Sequence, residues 1–97
     1  MTWDELKQYQ LDVYSTTWCG DCRRLKRILA DRGVAYNEID IDADPAAADR
    51  LVANTGKRAI PYVQINGAGF VRGYHKEAPG RWQDDLFLAE VAALLDK

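Results

Sequence analysis

Thr16-Thr17-Trp18-Cys19-Gly20-Asp21-Cys22, residues 16–22, holds both cysteines of the chain. Two cysteines three positions apart can be half of a metal site, a redox couple or a coincidence. The surrounding sequence narrows the choice. Leu11–Ser15 (LDVYS) is apolar and β-prone and reads as a strand. From Gly20 the pattern becomes helical, with Cys22, Leu25, Ile28 and Leu29 on one face and Arg23, Arg24, Lys26 and Arg27 mostly elsewhere. Gly33 is a plausible stop. Cys19 therefore falls where a strand ends and a helix begins. A helix N-terminus offers unpaired N–H groups and partial positive charge, and both stabilise a thiolate. Cys22 lies one turn further on, within disulfide reach. Asp21 suits a first helical turn but opposes thiolate formation. The Cys19 thiol is thus expected to be more acidic than a free one, though less so than with a neutral residue at 21.

A tetrahedral zinc site needs four ligands. Two cysteines and one histidine, His75, cannot complete it within one chain. A redox pair is the reading that composition favours.

The rest of the chain sets the frame. Its 97 residues predict one domain, 1–97. A net charge of −2 argues against a basic nucleic-acid surface. No apolar run reaches spanning length, and MTWDELKQYQ does not resemble a signal peptide, so no membrane role and a cytoplasmic location are expected. In that compartment a Cys pair is more often catalytic than structural. Thr2 and Glu5 have capping-box spacing for a short N-terminal turn. Residues 35–42 alternate Ile39 and Ile41 with acidic residues and predict a second strand. Asp44-Pro45 reads as an N-cap and first helical position, with Gly56 ending that helix. Residues 61–65 and 70–72 predict a hairpin around Asn66–Gly69. Residues 76–83 read as a loop. A last helix starts at Asp84, with Leu88, Val91, Leu94 and Leu95 on its apolar face. The predicted order is β-α-β-α-β-β-α. A strand–helix–strand unit is parallel and a hairpin antiparallel. One four-stranded mixed sheet with helices on both faces satisfies both.

With this order, and with Trp18-Cys19-Gly20-Asp21-Cys22 at the first helix, the chain resembles the glutaredoxin branch of the thioredoxin superfamily. VYSTTWCGDCRRLKRILADRGVAYNEIDID is most similar to mycoredoxin-type glutaredoxins, which carry a WCGxC site. The likeness runs over about residues 11–74 and includes Ala59-Ile60-Pro61. The resemblance implies a thioredoxin fold and thiol–disulfide oxidoreductase activity on mixed disulfides. By it, Cys19 is the attacking cysteine, Cys22 the resolving one and Pro61 a cis-proline facing them. Ile60 would pair its backbone with an extended thiol ligand, because Pro61 has no N–H to compete. Arg58 would meet a ligand carboxylate. Gly73 and Tyr74 match a ligand loop, and Trp18 and Asp21 flank the cysteines. Trp18 is expected either to shield the pair or to touch a partner, and Trp82 to sit in the core or anchor a loop, with exposure beside the site marking a partner surface instead. The resemblance implies no bound cofactor. It implies a low-molecular-weight thiol (mycothiol, bacillithiol or glutathione) as co-substrate, disulfide-containing proteins as substrates and a monomeric state. The sequence departs from the common pattern at Asp21, usually aromatic, and at Tyr74-His75, where an acidic pair is usual. Gly73-Tyr74 is also similar to redoxins that take electrons from a thioredoxin reductase and reduce ribonucleotide reductase. A third expectation is an iron–sulfur carrier, in which a cluster bridges the first cysteines of two subunits.

Overall fold

The computed structural model describes residues 1–72, 82 and 84–96. Its elements are α1 (Trp3–Leu6), β1 (Leu11–Ser15), α2 (Gly20–Asp31), β2 (Asn37–Asp40), α3 (Pro45–Thr55), β3 (Tyr62–Ile65), β4 (Gly69–Arg72) and α4 (Asp84–Leu95). The four strands form one sheet in the order β2-β1-β3-β4. β1 runs parallel to β2 and antiparallel to β3, with Val13 opposite both Glu38 and Val63. β3 and β4 are antiparallel, and Tyr62 faces Arg72 across the pair.

Alternation along β1 sends successive side chains to opposite faces. Leu11 and Val13 join Leu6, Leu25, Leu29, Phe87, Leu88 and Val91, so α1, α2 and α4 share one face. Tyr14 joins Ile41, Ala47, Ala48 and Leu51, so α3 covers the other. Ala47 and Ala48 leave room for α3 to lie close to the sheet. The expected fold class, a mixed four-stranded sheet with helices on both faces, is what the chain adopts.

Local signals explain the boundaries. Thr2 and Glu5 complete a reciprocal capping box, so α1 is a formed helix. Asp44 accepts the Ala47 N–H at 3.1 Å, Pro45 opens α3, and Gly56 closes it at φ 77°. β2 is shorter than the alternation over 35–42 suggests: Ile41 is already buried against α3, beyond the last paired residue, Asp40. The hairpin turns at Asn66 and Gly67, both at positive φ, and Asn66 Oδ1 also accepts the Gln10 N–H at 2.8 Å. In α4, Phe87 enters the core with Leu88 and Val91, whereas Leu94 and Leu95 are half-buried. α4 packs tightly over Gly69: a Cβ there would stand 2.5 Å from Leu94 Cδ1.

Two polar contacts tie the layers. The buried Tyr14 hydroxyl donates to Gln64 Oε1 and accepts from Arg50 Nε, both at 3.0 Å. The Asp84 carboxylate, at the start of α4, accepts from Arg32 Nη2 at 2.7 Å and from the Trp82 indole N–H. Burial pushes the Asp84 carboxyl up, but the Arg32 and Trp82 hydrogen bonds outweigh it and hold the group below the usual aspartate value. Trp82 packs on Phe87 at 5.3 Å, partly buried against the core, the first of its expected places. Among the described residues no helix is long and apolar enough to cross a membrane.

Candidate active site

Cys19 ends the loop that leaves the middle of the sheet, and it is the N-cap of α2. Its Sγ accepts the Cys22 N–H at 3.1 Å. A sulfur in that position takes the place of a capping oxygen, and a thiolate there would gain from both the N–H and the helix dipole. The two cysteines are disulfide-bonded, with Cα atoms 5.2 Å apart. They differ in access: Cys19 is 9% exposed and Cys22 is fully buried on the inward face of the helix. Only Cys19 can meet an incoming disulfide without the helix moving. At the C-terminal end of β1, just before this loop, the Ser15 and Thr16 hydroxyls are buried without a partner among the described residues.

A cleft of about 410 Å³ opens in front of Cys19. Trp18, Cys19 and Asp21 form one side, and Arg58, Ile60 and Pro61 form the other. The Ile60–Pro61 peptide is cis, and Pro61 is buried. The structure thus brings together Trp18, Cys19, Asp21, Arg58, Ile60 and Pro61, and sets Cys22 behind Cys19. Gly73 and Tyr74, the other two expected site residues, lie outside the described residues, as do His75 and all of 76–83 except Trp82.

Trp18 is 69% exposed, so it is not packed away over the cysteines and leaves its ring open for contact. The basic run of α2 is less uniform in effect than its composition suggests. Arg24 pairs with Asp21 at 2.8 Å, and Lys26 with Glu38 at 2.6 Å. Arg24 therefore offsets the very charge that opposes a Cys19 thiolate.

Sequence reasoning missed three residues here. Tyr62 and Arg72 line the cleft too. Their cross-strand pairing on β3 and β4 brings both beside Pro61, and strand alternation after Pro61 could have signalled it. Asp42 follows β2, and its carboxylate contacts both Trp18 and Arg58. Nothing in the acidic run of residues 38–44 singled it out.

The comparisons with known proteins agree with this geometry. The family model "Glutaredoxin" matches residues 11–70. The chain belongs to the glutaredoxin family. A Pseudomonas aeruginosa glutaredoxin is 33% identical over 84 residues, covering 87% of this chain and 88% of the relative. A Mycobacterium tuberculosis protein assigned as a glutaredoxin is 44% identical over 56 residues, 57% of this chain and 67% of that protein. Among solved structures, the buckwheat glutaredoxin–glutathione complex matches with a TM-score of 0.59 and 31% identity, over 73% of this chain and 66% of that one. The protein is a glutaredoxin-family thiol–disulfide oxidoreductase, with Cys19 and Cys22 as its disulfide-forming pair.

Proposed function

We propose that this glutaredoxin-family chain reduces mixed disulfides between proteins and a low-molecular-weight thiol, with a second molecule of that thiol as reductant. The observation that carries this reading is the asymmetry of the pair: an accessible Cys19 at an open cleft, and a sealed Cys22 behind it. The cleft volume is within the range of small-ligand sites, about 300–1,000 Å³, and suits a thiol of peptide or glycoside size. In this reading the Cys19 thiolate attacks the small-thiol sulfur of the mixed disulfide. A Cys19–thiol disulfide forms, and the target leaves as a thiolate that takes a proton. A second small thiolate then attacks the same sulfur, releasing the symmetrical disulfide and the Cys19 thiolate. Cys22 can also attack the intermediate, which gives the Cys19–Cys22 disulfide. Ile60 offers its backbone to the ligand, Arg58 meets a ligand carboxylate, and Trp18 and Asp21 border the entry. Every electron comes from the small thiol, so no bound organic cofactor is required. The chain acts as a monomer in the cytoplasm.

The test is turnover on thiol-modified peptides with glutathione, mycothiol, bacillithiol or a thioredoxin reductase as reductant. At least one small thiol should sustain multiple turnovers through Cys19. Turnover with thioredoxin reductase alone would overturn the small-thiol reading and place the chain with the reductase-fed redoxins.

A further inference from the structure

Asp42 stands at the rim of the cleft without lining it. Its two carboxylate oxygens are both committed. Oδ2 accepts the Trp18 indole N–H at 2.9 Å, and Oδ1 accepts from Arg58 Nη2 at 3.3 Å. Trp18 comes from the loop before α2, Asp42 from the turn after β2, and Arg58 from the loop before β3. One side chain thus joins three separate segments at the mouth of the site. The Asp42 N–H donates to Asp40 Oδ1 at 2.9 Å, which steadies the turn that carries it.

The charge consequence follows from elementary electrostatics. Arg58 is the cation beside Ile60 and Pro61, and a carboxylate already shares its guanidinium. A second carboxylate brought by a ligand would still find N–H donors there, because among the described residues Arg58 is engaged through Nη2 alone. It would also meet the repulsion of Asp42, across a surface where charges are partly screened. An uncharged ligand meets no such repulsion.

We propose that Asp42 is a specificity-determining positioning residue. It holds Trp18 in place and offsets Arg58, and so narrows the advantage that carboxylate-bearing thiols would otherwise have over uncharged ones. This rests on Arg58 being the carboxylate anchor of a small-thiol site.

The test uses Asp42→Asn, which retains an oxygen for the Trp18 N–H and removes the charge. Two mixed disulfides of one peptide are compared, one with glutathione, which carries two carboxylates, and one with uncharged 2-mercaptoethanol. The ratio of their KM values should move toward the glutathione disulfide by about threefold, the size expected of one exposed charge pair. The shift should fade in about 0.5 M salt and be absent when Asp42→Asn is made in an Arg58→Ala background. Asp42→Glu should keep the wild-type ratio. An unmoved ratio in active protein, or an equal change for both substrates, overturns the inference and leaves the small-thiol reading standing. If wild-type protein turns over neither disulfide while Cys19 still alkylates, the inference falls, and the small-thiol reading stands or falls separately on turnover of mycothiol- and bacillithiol-modified peptides.

Discussion

Replacing the two cysteines by serine one at a time should move activity and stability in opposite directions. Cys19 is the N-cap of α2 and its Sγ accepts the Cys22 N–H at 3.1 Å. Serine is among the best N-cap residues, so Cys19→Ser supplies an oxygen to the same donor. It should stay within about 0.5 kcal/mol of the reduced wild-type protein or exceed it. Cys22 is fully buried, on the same inward side of α2 as Leu25 and Leu29. Serine there buries a hydroxyl, which costs about 1–3 kcal/mol unless it finds an acceptor. For a domain of this size each kcal/mol moves Tm by about 4–8 °C. Cys22→Ser should therefore melt at least about 4 °C below wild type. Cys22→Ala, which removes the sulfur without burying a hydroxyl, should fall between the two. Circular dichroism melts in excess reductant compare the reduced forms on equal terms. Turnover on a glutathione- or mycothiol-modified peptide gives the second axis: Cys19→Ser inactive, Cys22→Ser retaining most activity with the right thiol. A Cys22→Ser protein as stable as wild type, beside a Cys19→Ser protein several degrees lower, would refute the assignment of cap and core. Loss of all turnover in Cys22→Ser with every small thiol would make the two-cysteine route obligatory.

Three further outcomes are expected. Asp84 has a depressed folded-state pKa, so its charged form stabilises the fold. The Tm deficit of Asp84→Asn should be full at pH 7 and shrink as pH falls from about 4 through the folded value; a deficit that persists at pH 2 would mean that packing, not charge, is responsible. Gly69→Ala sets a methyl 2.5 Å from Leu94 Cδ1, so the half-buried Leu94 side chain must turn aside, which should cost about 0.5–1.5 kcal/mol in urea unfolding. Adding Leu94→Ala should recover part of that loss, and strict additivity would count against the contact. Asp21→Asn should raise the rate of Cys19 alkylation at pH 7 by about twofold to threefold, since Arg24 already compensates the half-buried Asp21 charge; an unchanged or slower rate would show that Asp21 does not act on the Cys19 sulfur.

Much of this was legible because the signals are local. The helix start at Gly20 follows from a strand, a Cys N-cap and a heptad-like apolar face within twenty consecutive letters. Asp44-Pro45 and Gly56 mark both ends of α3 through short-range chemistry. The Cys19–Pro61 pairing came from resemblance, since no local rule brings residues so far apart in sequence to one cleft. Asp42 was invisible for the same reason: its two partners lie in other loops, and an aspartate in an acidic run is ordinarily a solvated residue. Arg72 needed the strand register, which the hairpin fixes only once the turn residues are known. The last helix was placed correctly, and the expected Val91 is its most buried residue, but Phe87, packed between Trp3 and Trp82, joins the core where Leu94 and Leu95 stay half-buried.

One of the two edge strands, β2, bears on how the sheet could meet another copy of the chain. β2 has only four paired residues, and Asn37 and Glu38 are exposed on it. Lys26 reaches over from α2 to Glu38. A second copy docking along this edge could form few ladder bonds, and it would bring the Glu38 and Asp40 carboxylates of both chains close together. A short edge strand lined with charged side chains is a poor template for a further strand, so this edge disfavours growth of the sheet by addition of another molecule.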